Sequence, residues 1–120
     1  IEYQKIPLLF YGEVIDSAFR GQTISHLGIQ TDIASTLLNQ LGMSDKAYPW
    51  SKNLLNPLAP QFAYSCYEEG LSWKRPVGFI SYEKRFNHYH FQNAPKTMMD
   101  SLSTEGKAYL QVLFQEYMDQ

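Results

Sequence analysis

The feature that most constrains this chain is a short apolar run near its start, Ile6-Pro7-Leu8-Leu9-Phe10-Tyr11-Gly12. The run does not alternate between apolar and polar residues. A strand with that pattern is one covered on both faces, as in the parallel sheets of α/β proteins. It needs strands on either side and helices above and below, and the rest of the chain supplies few of them.

The 120 residues suffice for one small domain with a single core, in which about two-thirds of the unfolded surface can be buried. Hydrophobic residues make up 44% and charged residues 18%, a balance that points to a folded chain. The formal charge of −2 comes from interspersed acids and bases, which leaves no basic field for nucleic acid or anionic lipid. Cys66 is the single cysteine, so an internal disulfide and a C-x-x-C pair are both excluded. No apolar run reaches the roughly 18 residues that a membrane-spanning helix requires. The first residue is Ile1, not Met, and the expectation is a fragment of a longer chain.

After the apolar run, Glu13 to Gly28 reads as a polar connection. In Thr31 to Gly42, residues Ala34, Leu37, Leu38 and Leu41 recur at helical spacing and predict one apolar face. Thr31 or Asp32 is expected to cap the start, and Gly42 to end the helix in a left-handed conformation. Met43 to Pro60 holds three prolines, and Trp50, Leu54 and Leu55 are expected to pin this irregular stretch to a core. From Gln61 the chain is rich in aromatics, interrupted by Glu68-Glu69-Gly70 and Pro76, which predicts an antiparallel meander of two to four strands. Ser103 to Asp119 places Leu110, Val112, Leu113, Phe114 and Tyr117 against Lys107, Gln111, Gln115 and Asp119, an amphipathic helix.

The order "IPLLFYG", a polar loop, "QTDIASTLLNQLG", a Pro- and Trp-bearing loop with "SKNLL", then "FAYSCYEEG" resembles the end of the sulfatase-like catalytic domain of the alkaline phosphatase superfamily. The lipoteichoic-acid-synthase-like branch is the most similar, and "GKAYLQVLFQEY" looks like the tail of that branch. The resemblance covers about Lys5 to Gly70, and the last helix more loosely. Where the family commonly has Pro-Thr after Asp-Ile-Ala, this chain has Ser35-Thr36.

The resemblance implies a partial sulfatase-like α/β fold. By that resemblance residues 1–120 would form a single C-terminal fragment, with a parallel-type strand, a helix and an antiparallel meander in 1–95 and the terminal helix in 96–120. It further implies a parent enzyme that hydrolyses or transfers sulfate or phosphate esters such as phosphoglycerol or phosphoethanolamine. The parent's chemistry would need a Thr, Ser or oxidised Cys nucleophile beside a divalent metal (Mn, Mg, Ca or Zn) held by Asp, Glu and His. In relatives these groups precede the apolar strand, so this chain is expected to hold no catalytic residue, metal ligand or cofactor of its own. Its partner would be the upstream part of the same catalytic domain. The parent would work outside the cytoplasm, tethered to the membrane only through N-terminal segments absent here.

Each residue that suggests chemistry within the chain has a plainer reading. Cys66 is followed by Tyr67-Glu68-Glu69, not by the Pro or Ser and Arg of the sulfatase signature, and reads as a small buried hydrophobe. His88 and His90 would share a strand face and suit a metal, with His26, Glu68, Glu69 or Glu83 as a third ligand, but no spacing selects one. Glu68 and Glu69 are adjacent, which suits a turn better than paired acid and base. Asp32 and Thr36 read as a helix start, and Gly12, Gly21, Gly28 and Gly42 form no phosphate-binding pattern. Tyr64, Trp73, Tyr82 and Tyr89 would make a stacking stripe for a sugar or base, or a packed sheet face. The alternative to an enzyme fragment is a non-catalytic aromatic-rich binding module, or one that forms homo-oligomers through exposed strand edges.

Overall fold

The structure is a computed structural model that describes residues 5–120. It is a mixed α/β arrangement with a four-stranded antiparallel sheet and two helices. A 3-10 turn at Ser17–Phe19 precedes helix α1 (Asp32–Gln40). The strands follow in chain order: β1 (Ala63–Tyr67), β2 (Gly70–Arg75), β3 (Gly78–Glu83) and β4 (His88–Asn93). Helix α2 (Lys96–Met118) closes the chain.

The meander is built as its turn residues dictate. Glu68 and Glu69 form the β1–β2 turn, Pro76 and Val77 the β2–β3 turn, and the sheet order is simply β1-β2-β3-β4. Tyr64 stands opposite Trp73, which stands opposite Ile80, so these side chains share one face. Leu71, Trp73 and Ile80 on that face close against Leu102 of α2 and form the core. Between Ser81 and Tyr82 the β3–β4 register slips by a residue, a bulge that bends the outer strand.

Helix α2 can lie close to the sheet because of Gly106. A Cβ there would stand 3.0 Å from both Leu71 Cδ1 and Trp73 Cβ. The helix also begins at Lys96, seven residues before the start suggested by the periodicity, because Pro95 holds an extended conformation and launches it. Its buried residues are Leu102, Ser103 and Gly106, with Tyr109 and Leu110 packed beside them. The expected apolar face lies further along, and Val112, Phe114 and Tyr117 are in fact exposed. A helix of 23 residues is about 35 Å long, so its distal half outruns the short sheet.

Three expectations are corrected. The run Ile6–Gly12 is not a strand: it takes no place in the sheet, and Leu9 and Tyr11 are 84% and 94% exposed. An apolar segment cannot form a doubly covered strand without neighbours, and every strand of this sheet is already committed to the meander. Helix α1 buries a polar face instead of its apolar stripe: Asp32, Ser35 and Thr36 are inaccessible, whereas Leu37 and Leu38 are half-buried and Leu41 is 56% exposed. The start of α1 is not capped by Thr31 or Asp32. Its first amides, those of Asp32, Ile33 and Ala34, donate to the carbonyls three residues back, of Ile29, Gln30 and Thr31.

The end of α1 follows the expected form. Gly42 has φ +67°, the Met43 amide donates to the Leu38 carbonyl and the Gly42 amide to that of Asn39. This is the Schellman pattern, which needs the left-handed residue that glycine supplies most cheaply.

Candidate functional site

The residues of the "QTDI" and "SKNLL" segments meet in one buried polar cluster. Asp32 Oδ1 accepts from the Lys52 amide at 2.8 Å, and Oδ2 accepts from Lys52 Nζ at 2.6 Å and from the Ile29 amide at 2.8 Å. Asp32 is thus a hub between the approach to α1 and the loop after it. A carboxylate removed from water needs such compensation, and here a cation and two amides supply it.

Thr36 and Ser35 extend the cluster. The Thr36 hydroxyl donates to the Asp32 carbonyl at 2.7 Å and accepts from the Leu54 amide at 2.9 Å. Ser35 donates from its hydroxyl to the Ser51 carbonyl, and its amide donates to Ser51 Oγ. Asp32, Ser35 and Thr36 all bond to residues 51–54, so the polar face of α1 fastens the irregular loop in place of an apolar contact. Leu54 is then pressed over Gly28, where a Cβ would stand 2.5 Å from Leu54 Cδ2.

The same lysine connects the cluster to the sheet. Lys52 Nζ lies 4.0 Å from the centroid of the Phe62 ring, and Phe62 stacks on Trp73 with centroids 4.9 Å apart. Tyr109 of α2 packs against Phe62, Tyr64, Trp73 and Trp50. The two indoles are anchored: Trp50 Nε1 donates to Glu116 at 2.5 Å, and Trp73 Nε1 donates to Glu105 at 3.0 Å. Trp50 and Leu55 therefore pin the loop as the sequence suggests, with Leu55 buried.

The aromatic stripe belongs to this packing. Tyr64 and Trp73 lie 6.4 Å apart, Tyr82 and Tyr89 5.4 Å apart, and all four line the face against α2. Burial, chiefly, pushes the Tyr64 phenol well above its ordinary range, with neighbouring Cys66 adding to it. Burial likewise raises Tyr109, and the Asp32 charge pushes in the same direction. Among the described residues the buried Tyr64 hydroxyl has no hydrogen-bond partner. Lys107 covers the outer edge of the stripe, its Nζ 4.2 Å from the Tyr82 ring centroid.

The remaining candidates do not converge. Cys66 is exposed on β1, an edge strand of the sheet, contrary to the buried position expected from its aromatic surroundings. Glu68 and Glu69 sit in the turn, and Glu69 pairs with Arg85 at 3.4 Å. His88 begins β4, with Nε2 3.9 Å from Glu83, while the side chain of His90 lies outside the described residues. His26 is in the loop before α1, its Nε2 3.3 Å from the Ala59 carbonyl. Among the described residues no three or more His, Cys, Asp or Glu side chains gather as a metal would require. Gly12 and Gly21 have positive φ in separate turns with open space around them.

The cluster around Asp32 is saturated by its own partners, so its chemistry is that of a fastener. Sequence reasoning missed Lys52, Glu105 and Glu116 as partners. An indole that packs into a core wants an acceptor, which could have directed attention to the glutamates of the last helix. Compared with models of protein families, with curated proteins and with solved structures, the chain gives no match. Among the described residues no helix is long and apolar enough to cross a membrane.

Proposed function

We propose that this chain is the C-terminal structural portion of a sulfatase-like enzyme of the alkaline phosphatase superfamily, similar to the lipoteichoic-acid synthases. The reading rests on the resemblance of "IPLLFYG", "QTDIASTLLNQLG", "SKNLL" and "FAYSCYEEG" to that family. The observation that carries it further is the state of Ile6 to Tyr11: an apolar run with the pattern of an interior strand stands exposed except at the half-buried Phe10 and takes no place in the sheet. Such a segment costs free energy to leave in water, at about 25 cal/mol per Å² of apolar surface, and so favours a sheet it can enter.

The parent would cleave or transfer a sulfate or phosphate ester, with a divalent metal and nucleophile supplied by residues before Ile1, outside the cytoplasm at a membrane. Within it this chain would contribute an interior strand, a helix and a wall of the substrate pocket. The Asp32 cluster would hold the strand's exit and the following loop at a fixed distance from the meander. No step of the chemistry is assigned to residues of this chain.

A second reading, a module that assembles with copies of itself, is favoured by one feature. The outer strand β1 has no charged residue, no proline and no bulge, the usual means of blunting a sheet edge. A stacking surface for sugars is disfavoured, because the aromatic stripe is taken up by α2.

The test is direct. The coding sequence before Ile1 should contain a Thr, Ser or Cys nucleophile and an Asp-His segment, and the isolated chain should not turn over aryl sulfates or phosphodiesters with Mn²⁺, Mg²⁺ or Zn²⁺. A start codon or export signal directly before Ile1 would overturn the reading. So would metal-dependent turnover that disappears in the double variant His88→Ala, His90→Ala.

A further inference from the structure

We draw no further inference here: the strongest candidate, the apolar surface on the distal half of α2 where Phe114, Tyr117 and Met118 stand exposed, is an unpartnered helix face, and nothing in the structure shows what covers it.

Discussion

Lys52 grips Asp32 with both its backbone and its side chain, the amide at 2.8 Å and the ammonium at 2.6 Å. The carboxylate is fully buried and the lysine side chain is 9% exposed. Removing one partner leaves an uncompensated charge, which typically costs about 3–5 kcal/mol. Asp32→Ala and Lys52→Met should therefore each destabilise the chain by that order in urea unfolding. The double variant Asp32→Ala, Lys52→Met should be more stable than the sum of the single losses implies, since no charge is left unpaired. Single losses below about 1 kcal/mol, the range of exposed ion pairs, would contradict the burial assigned to this pair.

Gly106 is predicted to be intolerant of even one methyl group. Alanine is favoured over glycine inside a helix by about 1 kcal/mol. Here the new Cβ would stand 3.0 Å from Trp73 Cβ and from Leu71 Cδ1, so the helix or these side chains would have to shift by a few tenths of an ångström. Overpacking of that kind costs about 1–3 kcal/mol and outweighs the propensity gain. Gly106→Ala should lower the thermal midpoint, and Gly106→Val should lower it further. A raised midpoint for the alanine variant would show that α2 does not sit against the sheet as described.

The half-buried tyrosines Tyr64 and Tyr109 make stability fall in alkali. Folding raises the phenol pKa of Tyr64 and Tyr109 above the ordinary value of 10.0. A group whose folded pKa is raised contributes its stability fully below the unfolded pKa. Above it the unfolded state releases a proton that the folded state retains. Stability should therefore hold up to about pH 10 and fall as pH rises beyond it. Tyrosinate absorbance should show Tyr64 and Tyr109 ionising at higher pH than an ordinary phenol. If all phenols titrate together while the fold persists, the aromatic junction is open to water.

Much of the local architecture was legible before the structure, and the reasons differ by element. The Gly42 ending of α1 and the turns at Glu68-Glu69 and Pro76-Val77 follow from the backbone preferences of single residues. The meander was legible as a class but not in its facing. Which side of Trp73 is inside depends on α2, and that helix begins at a proline outside the periodic stretch. The polar burial of α1 was hidden because Ala34, Leu37, Leu38 and Leu41 dominate its periodicity. Burial of Asp32 depends on Lys52, twenty residues away, and no local pattern encodes that pairing.

The run at Ile6 to Gly12 is the instructive failure. Its composition describes the environment a strand would need, not one that the remaining residues create. Leu37, Leu38 and Leu41 share the mismatch, since they read as a core face yet remain partly or largely open. Both departures have the same physical form, apolar surface that the described residues leave partly or largely uncovered.

Amide hydrogen exchange across Ile6 to Tyr11 tests the central claim most directly, with the chain alone set beside the gene product that also carries the residues encoded before Ile1. The account predicts rapid exchange at Leu8 to Tyr11 in the chain alone. In the longer product the same amides should be slowed by several orders of magnitude, as in interior strands whose opening requires sub-global or global unfolding. Equally rapid exchange in both would contradict it, because the segment would then be a surface loop and not a strand awaiting its sheet.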